Sequence, residues 1–386
     1  MNIPITKPQF DQAEEQAVIE VLRSGWVSQG PKVAQFESAL AGYTEASYAV
    51  ATTSCTTALH LILAALGIGP GDEVLVPAFS FVATANVVEY QGAVPVFVDI
   101  DLRTFNIAVE KIEAKITPRT KAIIPVHLFG LSAEMDPILD LARRHGLAVI
   151  EDAACAVGSR YRGRHVGALG RAGAFSFHPR KVITTGEGGA VTTHDEALTE
   201  RLRALRNHGA KLSDLDRHHA DSFTLPEYDE LGFNYRMTDL QAAVGLVQLS
   251  KVDKLIAQRQ SLARRYTEAL QDLPGLRTPW EPEGDTHTYQ SYVLLVEEQA
   301  RKSRDELALA LGREGIAVRQ GTHAVHCLGY YRRKYGLKEA ECPNAWRADR
   351  WSLTLPLYPE MDHITQDRVI QAVRNCLHHN STVGPD

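Results

Sequence analysis

Three short stretches of the chain carry residue types that could do chemistry together. Phe175-Ser176-Phe177-His178-Pro179-Arg180-Lys181 runs out of an apolar segment into a polar loop, and Thr184-Thr185-Gly186-Glu187-Gly188-Gly189 follows as a glycine-rich turn. A lysine held over a sheet edge becomes nucleophilic when desolvation or a nearby positive charge lowers its pKa, and Arg180 is the neighbour that could supply that charge to Lys181. Taken alone, an Arg-Lys pair reads as a solvated basic turn. Leu147-Ala148-Val149-Ile150-Glu151-Asp152 closes an apolar segment on an acid. A carboxylate there can hold a buried cationic partner, although Asp152 by itself reads first as a helix cap. Thr52-Thr53-Ser54-Cys55-Thr56-Thr57-Ala58-Leu59-His60 gathers small hydroxyl residues where a helical pattern opens. Such a start is either a phosphate site, built from free backbone N–H groups, or an ordinary N-cap.

Together the three stretches describe one cofactor. Pyridoxal 5'-phosphate (PLP) needs an anchor for its phosphate, an acid facing its ring nitrogen, and a lysine for the Schiff base. The acid keeps the pyridine protonated so that the ring can accept electrons, and the lysine holds the aldehyde and later moves protons.

These residues need elements to position them. Short apolar runs at Glu73–Pro77, Pro95–Asp99, Lys121–Val126, Leu147–Asp152, Ala172–Phe177 and Gly189–Thr193 alternate with helical patterns at Asp11–Ser24, 56–66, 136–145 and 195–207. That alternation predicts crossover units and a mostly parallel, buried sheet, with ligands beyond the carboxyl ends of its strands. Gly25 ends the first helix, and Asp136 is a candidate cap for the third, with Pro137 in its first turn. A long helical stretch runs from Thr238 to Leu273, with Thr238 or Asp239 as its cap, and Pro274-Gly275 ends it. Strand-like 292–296, helix-like 303–314, strand-like 316–319 and a helix from about Thr365 to Leu377 follow. The reading is an α/β fold with a large domain over 1–250 and a smaller C-terminal α+β domain over 251–386.

Composition sets the outer limits. In 386 residues, 41 Lys and Arg stand against 47 Asp and Glu, a formal net charge of -6, which lacks the basic footprint of a nucleic-acid binder. No apolar run approaches a spanning helix and the N-terminus has no signal-peptide pattern, so the expected location is cytoplasmic. The five cysteines, Cys55, Cys155, Cys327, Cys342 and Cys376, are scattered without a CxxC and fit reduced thiols, with no metal site expected. Asn380-Ser381-Thr382 spells a glycosylation acceptor and reads as a polar tail.

The ordered set of motifs resembles the DegT/DnrJ/EryC/StrS family of PLP-dependent sugar aminotransferases, which have the aspartate aminotransferase (type I) fold. The resemblance rests on 24–31 (Ser-Gly-Trp-Val-Ser-Gln-Gly-Pro), 53–60, Glu151-Asp152-Ala153-Ala154, 175–189, Arg206-Asn207-His208-Gly209 and 232–239 (Gly-Phe-Asn-Tyr-Arg-Met-Thr-Asp), and it covers nearly the whole chain. It implies that Lys181 is the Schiff-base and proton-transfer lysine and that Asp152 pairs with the pyridine nitrogen. Cys55, Thr56 and Ser176 would hold the phosphate, and Phe81 would lie on the ring face. Asn234 or Arg236 would reach the phosphate of a neighbouring subunit, which implies a homodimer with shared sites. Gln29, Glu187, His208 and His326 would stand near the substrate. Cys155 departs from the pattern, since family members often carry Gln or His there, and a thiol donates less well to the cofactor's phenolic oxygen.

The implied reaction moves an amino group from an amino acid, most often glutamate, to a keto sugar, chiefly a nucleotide-linked 4-keto-6-deoxy sugar. Two other readings share the fold. Sugar dehydratase relatives replace the Schiff-base lysine by histidine, whereas Lys181 is present. A non-catalytic regulator or sensor would have no need of the full Lys181, Asp152 and Thr56 set. A nicotinamide dehydrogenase lacks support, because no GxGxxG links a strand to a helix.

Overall fold

The computed structural model describes residues 2–210 and 227–377, so the Asn380 sequon lies outside the described residues. The apolar runs form a seven-stranded sheet. Its strands are β1 (Tyr48–Thr52), β2 (Glu73–Pro77), β3 (Val94–Val98), β4 (Thr120–Ile123), β5 (Ala148–Asp152), β6 (Ala172–Ser176) and β7 (Gly189–Thr193), in the spatial order β1-β7-β6-β5-β4-β2-β3. All the pairings from β6 to β3 are parallel, and β7 runs antiparallel to both β6 and β1. Strands covered on both faces should be apolar throughout, and β2, β6 and β7 are buried at every residue. Successive side chains still go to opposite faces. Val74 and Val76 join one apolar cluster with Ile150 and Ala174, while Leu75 joins another with Val149 and Phe175.

The reversed strand matters most for the site. Because β7 is antiparallel, its first residue, Gly189, sits in register with the last residues of its two neighbours, Ser176 and Thr52. Gly189 is also pressed against the turn after β1, and a Cβ there would collide with the Ser54 carbonyl carbon and the Cys55 nitrogen. Glycine is what lets that turn lie on the sheet edge.

Helices cover both faces: α1 (Gln12–Ser24), α2 (Pro31–Thr44), α3 (Cys55–Ala65), α4 (Ala83–Tyr90), α5 (Met135–His145), α6 (Glu196–Arg206), α7 (Asp239–Ser250) and α8 (Val252–Leu270). α1 has a capping box from Asp11 and Glu14 and ends on left-handed Gly25. α7 opens with a capping box from Thr238 and Gln241. Several expectations change. The single stretch from Thr238 to Leu273 divides at Lys251, which ends α7 and precedes α8. Asp136 does not cap α5; it lies in the first turn, where its carboxylate pairs with Arg162 and Arg164. The sequence reading overlooks β1, α2 and α4. In α2 the face is there to be seen, since Val33, Phe36, Leu40 and Ala41 are all buried.

The C-terminal part adds β8 (Leu276–Arg277), β9 (Tyr292–Val296) and β10 (Ser352–Leu355) as a three-stranded antiparallel sheet. α9 (Arg304–Arg313), α10 (Gly329–Tyr335), α11 (Pro343–Trp351) and α12 (His363–Leu377) accompany it. A third cluster joins Tyr266, Leu294, Leu307, Leu353 and Val369 to Ile3 at the N-terminus. The expected strand at 316–319 is only two single bridges, Ile3 with Ile316 and Arg319 with Thr354. Arg259 of α8 is fully buried and bonds the carbonyls of Tyr289, Gln290 and Leu357 at 3.3–3.4 Å; burial pushes its pKa down to about 10. No helix among the described residues is long and apolar enough to cross a membrane, and all five cysteines are free thiols.

A buried pair ties β1 to the helices beside it. Arg206 at the end of α6 bonds Glu37 of α2 at 2.5 Å and the Ala51 carbonyl at 2.6 Å, and Glu37 accepts the Ala51 N–H at 2.9 Å. Removing one member of such a pair leaves the other charge stranded. Glu37→Ala is therefore expected to lower unfolding free energy by about 3–5 kcal/mol, read from the urea midpoint, whereas Glu110→Ala at the surface should leave it within about 0.5 kcal/mol.

Candidate active site

A cavity of about 560 Å³ opens at the edge where β5 and β6 end and β7 begins. Its walls come from distant parts of the chain: the start of α3, the loop 176–187, residues 290–291, residues 319–322, and residues 354–357.

Asp152 closes β5 at the cavity wall and is buried. Its Oδ2 accepts the Thr84 hydroxyl at 2.8 Å, and Ser80 lies 3.0 Å from that hydroxyl, so a relay runs from Ser80 through Thr84 to the acid. Oδ1 accepts the Ala154 N–H at 3.2 Å. Burial pushes the Asp152 pKa up, while Thr84, Ala154, Lys181 and His127 each pull it down. The strand end beneath it is fixed from the opposite face. The buried Glu151 carboxylate accepts three backbone N–H groups, from Gly167, Leu169 and Gly170, each at 2.7 Å, and faces His127 Nε2 at 2.9 Å. His127 Nδ1 accepts the Ala133 N–H at 3.1 Å, which leaves Nε2 as the donor to Glu151. The His127 backbone N–H in turn bonds the Asp152 carbonyl at 3.0 Å.

Lys181 reaches the same cavity from the loop after β6, and its Nζ lies 3.1 Å from Cys155 Sγ. Burial works against the ammonium, but Cys155, Cys55 and Asp152 outweigh it and hold the Lys181 pKa above its ordinary value. Arg180, which the sequence offers as a charge that could lower it, is not among the groups that act on Lys181. Arg180 is instead exposed, and its charge acts on His178 and Arg319. Cys55 is buried beside Asp152, and burial followed by that acid pushes its thiol pKa up.

The hydroxyl run at the start of α3 divides its labour. Ser54 and Thr57 form the capping box, with the Thr57 N–H on Ser54 Oγ at 3.1 Å and the Ser54 N–H on Thr57 Oγ1 at 3.0 Å. Cys55 and Thr56 are the first two helical residues, whose N–H groups have no acceptor within a helix, and both line the cavity. A helix start of this kind favours an anion. Phe81 also lines the cavity and is 63% exposed, a ring face that the chain leaves uncovered. This donor set fits PLP: an anion site at α3, an acid with capacity left for a ring N–H, an aromatic face for the ring, and an amine for the aldehyde.

The cavity thus gathers Cys55, Thr56, Phe81, Asp152, Cys155, Ser176, Lys181 and Glu187. Other candidates stand elsewhere. Asn234 is exposed, and Arg236 bonds Asn207 at 2.7 Å on a segment that bridges to Thr52. His208 is an exposed residue with a positive φ of 61° beside Phe233, to whose carbonyl it donates its N–H. Gln29 is partly buried under Trp26, whose indole N–H bonds its carbonyl at 3.0 Å. His326 is fully buried beside Phe97 and Cys327, and burial pushes its pKa down. No metal-ligating cluster occurs among the described residues. Sequence reasoning missed Thr84, Ser80 and the His127–Glu151 pair. Their one visible signal was polar residues inside apolar runs.

A sequence model of the DegT/DnrJ/EryC1/StrS aminotransferase family matches residues 8–374. The chain is 45% identical over 375 residues to the spore coat polysaccharide biosynthesis protein SpsC of Bacillus subtilis, covering 97% of this chain and 96% of that protein. It is 42% identical over 378 residues to GDP-perosamine synthase of Caulobacter vibrioides, covering 97% and 98%. The PMP-form structure of Spr1654 from Streptococcus pneumoniae superposes with a TM-score of 0.92 at 29% identity, covering 97% and 99%.

The acid's surroundings make a testable pH signature. Its folded-state pKa lies above the unfolded 3.8, so the ionised form costs stability at neutral pH, and that cost disappears as the pH falls through the folded value toward 3.8. Thr84→Val removes the donor on Oδ2. It is expected to destabilise the cofactor-free protein by about 1.5–3 kcal/mol at pH 7 and by less in acid, as read by urea unfolding at the two pH values.

Proposed function

The chain belongs to the DegT/DnrJ/EryC1/StrS aminotransferase family, and from that premise we propose that it uses PLP to move the amino group of L-glutamate onto a nucleotide-linked 4-keto-6-deoxy sugar. The family consists of PLP-dependent sugar aminotransferases, and the structure has their type I fold. The observation that carries the reading is that the Lys181 amine and the Asp152 carboxylate share one cavity with the open start of α3.

When bound, the cofactor supplies an aldehyde carbon and a protonated ring that takes up the electrons released when a substrate C–H bond breaks. The chain supplies everything else. Asp152 holds a proton at the ring nitrogen, and Thr84 and the Ala154 N–H keep that carboxylate charged and oriented. The first N–H groups of α3 and the Thr56 and Ser176 hydroxyls would hold the phosphate. Phe81 covers one ring face. Lys181 Nζ takes the proton from the substrate carbon and returns it on the same face, from a position fixed by its loop. Without a ligand, Cys155 first, then Cys55 and Asp152, hold the proton on Lys181, so the amine would have to be released from these neighbours before it could act as a base. Val126, Leu128 and Phe129 line the cavity and keep water from the reacting atoms.

In this reading the walls belong to a large PLP-binding domain over 1–250 and a small one over 251–386, and the enzyme works as a cytoplasmic homodimer. Free thiols fit a reducing compartment. The backbone of the Asn234–Arg236 segment lies against Thr52 and Thr53 while Asn234 stays exposed. That placement supports a role at the partner's phosphate.

Two experiments test the proposal. Lys181→Ala is expected to lose the visible absorption of the lysine–cofactor adduct and all multiple turnover of glutamate with a keto sugar; sustained turnover in that variant overturns the assignment. If sites are shared, mixing inactive Lys181→Ala with inactive Arg236→Ala subunits restores activity in the hybrid, because one of its two sites has both groups. Hybrids that stay inactive although both variants fold and dimerise would rule out sharing through that residue.

A further inference from the structure

Two cations at the cavity have no ion-pair partner among the described residues. Arg180 and Arg319 both line it, one from the loop that carries Lys181 and the other from the segment beside β10. Their backbones are pinned. Arg180 donates its N–H to His178 Nδ1 at 3.2 Å, and its carbonyl accepts Gln290 Nε2 at 2.8 Å. Arg319 exchanges two backbone bonds with Thr354. Neither guanidinium forms an ion pair among the described residues. Elsewhere buried or half-buried acids draw arginines to them, as Glu73 draws Arg119 and Glu37 draws Arg206.

The other titratable groups at this wall do not neutralise the pair. Asp152 is engaged by Thr84 and Ala154. Glu187 lines the cavity, and its charge acts on His178. His178 is pushed down by burial and stays neutral at pH 7, while burial and then the charge of Arg180 push Arg319 below its usual value. Two like charges that line one cavity from separate, backbone-fixed segments, the one acting on the other, are most stable with an anion between them. The start of α3, where the cofactor's phosphate would sit, belongs to a different element of the lining from the two segments that carry the arginines.

We propose that Arg180 and Arg319 form a two-guanidinium seat for the anionic end of a substrate, either the carboxylate of the amino donor or the diphosphate of a nucleotide-linked acceptor. The identity of the substrates rests on the aminotransferase reading; the seat itself does not. A planar guanidinium suits both groups, because its N–H fork meets the paired oxygens of a carboxylate or a phosphate. Both half-reactions pass through one cavity, so the seat can serve the two anions in turn.

The test measures binding of two unreactive probes, glutarate and inorganic diphosphate, to the holoenzyme by calorimetry. It compares the wild type with Arg180→Gln, Arg319→Gln and the matching Lys variants. Each Gln variant is expected to lose roughly ten- to a hundred-fold in affinity for the anion its arginine holds, and the Lys variants are expected to recover part of it. Loss confined to glutarate assigns the seat to the donor, loss confined to diphosphate assigns it to the acceptor, and loss of both assigns it to both. Wild-type affinity in both Gln variants, or no binding of either probe to the wild type, overturns the proposal. The arginines are surface-exposed, so the variants are expected to fold, and an unchanged visible spectrum checks that the cofactor site is intact. Neither probe carries an amino group. Failure of glutamate to exchange its nitrogen would therefore defeat the aminotransferase reading without altering the binding result.

Discussion

A carboxylate kept out of water at the end of a parallel strand is the constraint on which this molecule is built. Asp152 is buried, so its charge is costly unless several groups satisfy it. The chain meets that cost from both sides of the sheet. On the cavity side, the Ser80–Thr84 relay and the Ala154 N–H bond the carboxylate. On the opposite side Glu151, next in the strand, clamps the loop 167–170 and is held by His127. Alternation along β5 makes this division possible, since adjacent acids must point to opposite faces. One acid is thereby structural and the other is left facing the cavity.

The reversal of β7 completes the arrangement. A fully parallel sheet would carry the chain away from the edge at which Ser176 ends β6. The antiparallel strand returns it there at once, so the loop 177–188 begins and ends at the cavity. Lys181 sits in that loop, and Gly189 lets the first turn of α3 close against it. The amine and the open start of α3 are thus brought together by one topological choice and one missing side chain. The acid lies one strand further on, across the β5–β6 pairing that sets Asp152 opposite Ala174.

This division also explains what could be read from the sequence. Asp152 and Lys181 stand out in the sequence because each follows an apolar run of the kind that marks strands buried on both faces, although each alone reads as a cap or a solvated turn and only the combined motifs join them. The resemblance of the ordered motifs supplied the rest of that wall. Thr84 was not legible, since its partner lies 68 residues away and nothing local distinguishes it from any threonine early in a helix. His127 and Glu151 are 24 residues apart and meet only once two parallel strands are aligned. His326 shows the opposite limit. The sequence gives its type and neighbours, but whether a histidine faces a cavity or the core depends on packing, and here Phe97 and Cys327 enclose it. Arg180 is adjacent to Lys181 in sequence, but on an irregular loop adjacency does not bring two side chains together, and the charge of Arg180 acts on Arg319 and His178.

The same packing sets a thermodynamic direction. The buried acid disfavours the charged state it is made to carry, whereas Cys155, Cys55 and Asp152 hold the buried amine in its charged form, so the costs of the cofactor-free cavity lie at Asp152 and at the open start of α3. A ligand that brings a cation to Asp152 and an anion to α3 offsets both. Any molecule that binds only the folded chain stabilises it in proportion to the logarithm of its concentration over its dissociation constant. The groups that make the cavity reactive are therefore the same groups that make the folded chain depend on what fills it. Such a site is tolerated because the rest of the structure is over-determined: two apolar clusters on the sheet faces, a third in the C-terminal region, and buried ion pairs such as Arg206 with Glu37 where the layers meet.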